Sequence, residues 1–233
     1  VNPVITEKGW QFSLDEGHRD PILDVDYVMA IYKQTDPNYP GRATIPVIVD
    51  VTTKKIVNNE SQEIMQQLET NFMDFVKTDA PDLYPENLRT EIDALNAILL
   101  AEINQGVYKI KGAKTQADYE KYFHIFFNRL DQLEARLADS RFLFGDQITD
   151  SDIRLYVSLA RFDVAYYTTF RANRNRLTDF PNLWRYAKEL YQMPAFQETT
   201  NFDAIKKGFA LNNLEENPNQ IVPLGPDTSI WDQ

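Results

Sequence analysis

The chain has 233 residues and carries 24 basic against 35 acidic side chains, a formal charge of −11. Hydrophobic residues at 43% and charged residues at 25% give the balance of a globular protein, and 8 glycines with 12% aromatics exclude collagen-like and disordered classes. No apolar run nears the ~18 residues of a membrane helix, no signal-peptide pattern opens the chain, and so acidic a surface repels a phosphate backbone, which argues against nucleic-acid and membrane partners. Cysteine is absent, which removes disulfides, thiolate metal sites and a cysteine nucleophile from these residues. The histidines are His18 and His124. Neither has a carboxylate-plus-nucleophile pattern nearby, so no metal or triad is expected.

The first forty residues are punctuated by Pro3, Gly9, Gly17, Pro21, Pro37 and Pro40, with one short helix expected at about 25–34. The β-branched run Thr44–Thr52 reads as a strand, Thr53-Lys-Lys as a turn and Ile56-Val57 as a second, short strand. Asn58-Asn-Glu-Ser61 opens a helix through Ile64, Met65 and Leu68. Beyond about residue 75 the periodicity turns helical throughout. Leu88, Ile92, Leu95 and Leu99 mark one face over 86–104, and Phe123, Phe126, Leu130, Leu133 and Leu137 another over 119–140. Ile153, Val157, Ala160 and Val164 are expected as the buried stripe of a helix over 151–170, with shorter helices at 182–191 and 202–207. The tail 217–233, with three prolines, reads as extended. The net charge is −8 over 60–105 and +5 over 154–188, an asymmetry that reads as solvated faces, the second able to attract an anion.

Three short features bear on chemistry. Pro46 at a strand start cannot donate to a ladder. If Ile45–Pro46 is cis, the main chain before it is free to pair with an extended peptide; a plain trans edge proline is the alternative. Glu60-Ser61 opens a helix whose free N–H groups suit a carboxylate, with Glu60 able to grip an ammonium, or it is a simple cap. Thr149-Asp-Ser-Asp152 has capping-box form, with Ile148 and Ile153 spaced as a hydrophobic staple. It reads as a folding device, for which Asp152→Ala would cost about 0.5–2 kcal/mol.

These features, in this order, resemble a glutathione transferase. The likeness is closest to the Xi class, the glutathionyl-hydroquinone reductases. It is carried by Lys8-Gly-Trp-Gln-Phe12, Thr35-Asp-Pro-Asn-Tyr-Pro-Gly-Arg-Ala-Thr-Ile-Pro-Val47, Val57-Asn-Asn-Glu-Ser-Gln-Glu-Ile64 and Leu130-Asp-Gln-Leu-Glu-Ala-Arg-Leu137. Ser151-Asp-Ile-Arg-Leu155, Arg161-Phe-Asp163, Phe180-Pro-Asn-Leu-Trp184, Asn201-Phe-Asp203 and Ile221-Val-Pro-Leu-Gly-Pro226 continue it. The chain departs from the family pattern twice. The family's Cys-Pro-Trp-Ala-His-Arg motif is not among these residues, and Phe209-Ala210 stands where the family has a tyrosine pair.

The resemblance implies an α/β plus all-α fold: the later part of a thioredoxin-like glutathione-binding domain over 1–70, a linker over 71–85, and an all-helical domain with an extended tail over 86–233. It implies glutathione as cosubstrate and thiol transfer from a glutathionyl-quinol by a cysteine lying upstream. This chain alone would then be an inactive fragment whose sheet has one flank uncovered. Ile45 with Pro46, its peptide expected cis on the resemblance, would pair with the glutathione backbone, and Glu60 and Ser61, with the Ser61 N–H expected at a helix start open to solvent or ligand, would hold its γ-glutamyl end. Trp10 and Arg42 would sit near its glycyl carboxylate, and Tyr108 would line the pocket for an aromatic electrophile or quinone adduct. Trp10 reads equally as an indole packed on the sheet. A cytoplasmic homodimer joined through the helical domain is implied as well. The alternative is a non-catalytic binding or assembly module on the same fold.

Overall fold

The computed structural model describes all 233 residues. It divides into two compact units, Val1–Thr78 with Leu211–Pro218, and Asp79–Ala210 with Asn219–Gln233. The expected 71–85 linker is therefore displaced. Residues 71–78 fall in the first unit; Tyr84 is buried and its hydroxyl donates to Asp93, while the Asp150 N–H donates to the Leu83 carbonyl, so 79–85 pack as part of the helical unit. The first unit in turn includes a returning segment, where Asn212 accepts from the Ile5 N–H and donates to the Pro3 carbonyl.

In the first unit α1 runs over Val28–Thr35, three residues later than expected at its start. The Asp20 N–H donates to the Val25 carbonyl, which holds Val25 in a turn, where it enters a small core with Leu23 and Ile31. The expected long strand shrinks to β1, Ile48–Asp50, because Pro46 offers no ladder donor and Asp50 ends the run. Its carboxylate accepts from the Thr52 and Thr53 N–H groups at 2.8 and 3.0 Å, which turns the chain and holds the carboxyl below its ordinary pKa. β2, Lys55–Asn58, pairs antiparallel with β1, with Val49 opposite Ile56, and these two strands are the whole sheet. Val49 and Ile56 pack against Leu23, Val25 and Ile31. The Thr35 hydroxyl accepts from the Ile56 N–H, tying β2 to the end of α1. α2 follows over Ser61–Thr70.

The second unit is helical: α3 Arg89–Ile98, α4 Gly106–Gly112, α5 Gln116–Arg136, α6 Asp150–Arg161, the single turn α7 Tyr167–Thr169, α8 Pro181–Tyr191, the short α9 Pro194–Gln197, and α10 Phe202–Leu211. π-helical turns at Leu99–Asn104 and Phe162–Tyr166 extend α3 and α6. α5 starts earlier than its apolar pattern suggested, because the Thr115 side chain accepts from the Asp118 N–H and caps it. α6 is central and buried on nearly every side. Leu155, Tyr156, Leu159 and Ala160 enter the core, whereas Val157, expected inside, lies on its one exposed strip. At its start Asn96 and Arg154 donate to Asp150, a buried polar link from α6 to α3.

The tail departs from expectation. It folds back on its own unit, and Trp231 is buried in the main core. Its ring meets Trp184 edge-on at 4.9 Å and Phe202 at 5.3 Å. The Lys206 ammonium donates to the Leu224 and Pro226 carbonyls and pins the approach. Composition read this stretch as extended because its prolines outweigh one aromatic anchor. Burying a tryptophan is large enough to reverse that balance.

Candidate functional site

Two exposed arms of the first unit display groups that the fold does not use. The first is the loop Arg42–Pro46, between α1 and β1. Its Ile45–Pro46 peptide is cis, and both residues are exposed. The second arm is the start of α2. Glu60 is its N-cap and Ser61 its first residue, both exposed. The Glu60 N–H donates to Asn58 Oδ1 at 2.8 Å, while the Glu60 carboxylate has no partner within the chain. The Ile64 N–H is the first to bond back into the helix, onto the Glu60 carbonyl, so the opening N–H groups face outward.

A pocket of about 190 Å³ opens beside the first arm, lined by Ile5, Thr6, Lys8, Trp10, Met29 and Arg42 among others. Trp10 is half-buried against Val28, Tyr32 and Ala43, so its indole packs on the helix side of the unit while lining the pocket. Arg42 is exposed and makes no ion pair within the chain. Lys8 stands 5.8 Å from the Tyr27 ring. Lys8 and Arg42 bring two cations to the pocket and Glu7 one carboxylate, beside the Trp10 indole, so its net charge is positive over an apolar floor, which suits a carboxylate group.

The arms are joined from beneath by a residue that the sequence did not single out. Tyr32 on α1 is buried at 3% exposure, and its phenol donates to the Thr44 carbonyl at 2.9 Å. The same oxygen lies 3.1 Å from the Thr44 hydroxyl and accepts from Asn59 Nδ2 at 3.2 Å. On a helix pattern such a tyrosine reads only as core. Its hydroxyl contacts depend on loops far away in sequence. Lys8 was likewise passed over, since a surface lysine carries no signal alone.

Tyr108 lies in the helical unit, half exposed on α4. Its ring stands edge-on to Phe170 at 5.0 Å and to Tyr166 at 6.2 Å. Phe209 packs 5.5 Å from both Tyr166 and Phe170. The Tyr166 phenol is buried, which pushes its pKa far up and keeps it neutral. Tyr166 and Phe170 are core residues, so Tyr108 is the ring of this cluster that stands half out of the surface, backed by aromatic edges. The histidines join neither arrangement: both are exposed, His18 bonded to the Ser13 carbonyl and His124 edge-on to Phe123. No helix is long and apolar enough to cross a membrane.

Comparison with known proteins gives a consistent likeness. The family model for the glutathione S-transferase C-terminal domain matches residues 116–189. The glutathionyl-hydroquinone reductase YqjG of Escherichia coli is 38% identical over 97% of this chain and 69% of its own length. Its glutathione-bound structure superposes with a TM-score of 0.92, covering 100% of this chain and 76% of that one at 37% identity. The glutathionyl-hydroquinone reductase PcpF of Sphingobium chlorophenolicum is 40% identical over 97% of this chain and 72% of its own. The crystal structure of the glutathione transferase Xi of Phanerochaete chrysosporium matches with a TM-score of 0.92 at 39% identity, covering 98% of this chain and 79% of that one.

Proposed function

The chain belongs to the Xi class of glutathione transferases, and from that membership we propose that the intact protein is a glutathione-dependent reductase of glutathionyl-hydroquinones. One observation carries the reading. Arg42 and Glu60 are opposite charges on one unit, both exposed and both without a side-chain partner. Charges left unpaired by the fold suit a ligand with charges of its own, and glutathione carries an ammonium and two carboxylates.

The exposed main chain at Ile45 and Pro46 pairs with the extended tripeptide, in the manner of a strand added to an edge. The opening N–H groups of α2 and the Ser61 hydroxyl take the γ-glutamyl carboxylate, and Glu60 takes the neighbouring ammonium. Trp10 and Arg42 take the glycyl end in the pocket that they line with Lys8. Tyr108, half out of the surface, receives the aromatic ring. The reading includes a homodimer and a cytoplasmic location, where thiol pools are kept reduced.

The net reaction converts a glutathionyl-hydroquinone and one glutathione into the hydroquinone and glutathione disulfide. A protein thiolate attacks the glutathionyl sulfur. The sulfur–carbon bond to the ring breaks as the sulfur–sulfur bond forms, and the ring carbon takes a proton. A second glutathione thiolate then attacks the mixed disulfide and releases the protein sulfur. No cysteine is among these 233 residues, so their part is to bind and orient. In the assay that tests this, the intact protein releases hydroquinone only when free glutathione is supplied. A protein confined to these 233 residues binds glutathione but releases none. No release from the intact protein overturns the reading, and release by the cysteine-free chain overturns the thiolate mechanism.

A further inference from the structure

We infer that Tyr32 is the positioning residue of the glutathione site, its single phenol oxygen fixing the spacing between the two arms. The inference rests on the glutathione reading above and extends it to a residue that touches no ligand.

A phenol has one proton to donate and two lone pairs to accept with. At Tyr32 all three are used. The proton goes to the Thr44 carbonyl at 2.9 Å, and the lone pairs face Asn59 Nδ2 at 3.2 Å and the Thr44 hydroxyl at 3.1 Å. Thr44 immediately precedes Ile45–Pro46, and Asn59 immediately precedes Glu60-Ser61. Each partner is therefore one peptide unit away from a ligand-facing residue. The two loops are separated by the whole β-hairpin, whose short ladder over Ile48–Asp50 and Lys55–Asn58 leaves their outer ends free to splay. A buried hydroxyl bonded to both removes that freedom. At 3% exposure its bonds do not compete with water, and losing it leaves a carbonyl and an amide without their buried partner.

The first arm is braced a second time, at its Arg42 end, on the same ring. Tyr39 packs on Tyr32 with centroids 4.8 Å apart, and its hydroxyl reaches toward the Arg42 carbonyl at 3.5 Å. That approach requires Gly41, where a Cβ would lie 2.8 Å from the Tyr39 hydroxyl. The main chain on both sides of the site is thus referenced to one buried side chain on α1.

Tyr32→Phe keeps the ring and its packing and deletes only the junction. In the intact protein the dissociation constant for reduced glutathione, measured by calorimetry, should rise about tenfold. Amide hydrogen exchange at Ile45 and Ser61, which a ring merely filling the core would not change, should quicken together. Asn59→Ala severs the second arm alone at a half-buried position and keeps the test open if Tyr32→Phe does not fold. It should weaken binding in the same direction, and the double variant should bind no worse than Tyr32→Phe. Wild-type affinity in a folded Tyr32→Phe protein, or additive losses in the double variant, would overturn the inference while leaving the glutathione reading intact. No saturable binding by the wild type would remove the reading itself.

Discussion

Asp152→Ala is expected to lower the free energy of unfolding by about 2–6 kcal/mol, the cost of leaving two buried donors without their acceptor. Sequence form alone suggested a helix cap costing about 0.5–2 kcal/mol. The structure gives this carboxylate four donors at full burial. Oδ1 accepts from the Leu143 N–H and the Tyr186 hydroxyl, each at 2.9 Å, and Oδ2 accepts from the Thr149 N–H at 2.8 Å and its hydroxyl at 2.9 Å. Asp152 and Tyr186 are both 0% exposed. Alanine would strand the Leu143 amide and the Tyr186 phenol where water cannot replace the lost acceptor, at about 1–3 kcal/mol each.

The same residue sets a pH dependence. Burial raises the Asp152 carboxyl above its ordinary value of 3.8, against the pull of its hydrogen bonds. A raised carboxyl binds its proton more tightly in the folded state, so the wild type loses part of this group's contribution as pH rises from 3.8 through the folded value. The alanine variant has nothing to titrate there. Its penalty should accordingly be largest in acid and smaller at neutral pH, as read by denaturant titrations at both. A penalty of only about 1 kcal/mol, or one that grows with pH, would reduce Asp152 to an ordinary cap.

Glu60→Ala is expected to weaken glutathione binding about 10- to 100-fold, the scale of a hydrogen bond to a charged group. The fold should not register it. The Glu60 side chain is exposed and makes no bond within the chain, and its main-chain bonds to Asn58 and Ile64 survive the substitution. Calorimetry and thermal unfolding should therefore separate, with affinity falling at an unchanged melting temperature. Equal affinity for the variant and wild type would detach Glu60 from the ligand.

How far the sequence carried this depends on the range of the forces involved. The faces of α3 and α5 were legible because their apolar residues recur at helical spacing against a local core. The cis bond at Ile45–Pro46 and the exposed start of α2 followed from family motifs. The burial of α6 was misread because a helix packed on nearly all sides has no single stripe, which put Val157 inside. The strand from Thr44 was overextended because β-branched composition does not register that Asp50 captures the next two amides. Trp231, Asn212 and Tyr32 were illegible for a shared reason. Their partners lie far away in sequence, and no periodicity encodes a contact between α1 and two separate loops.

The central claim is that the arms of the first unit hold glutathione. Titration of reduced glutathione into isotope-labelled protein, followed by amide resonances, tests it most directly. The expected result is a saturable one-site response, with the largest shifts at Ile45, Glu60, Ser61 and the Trp10 indole N–H. A response that does not saturate, or that saturates with those four positions unmoved, would contradict it.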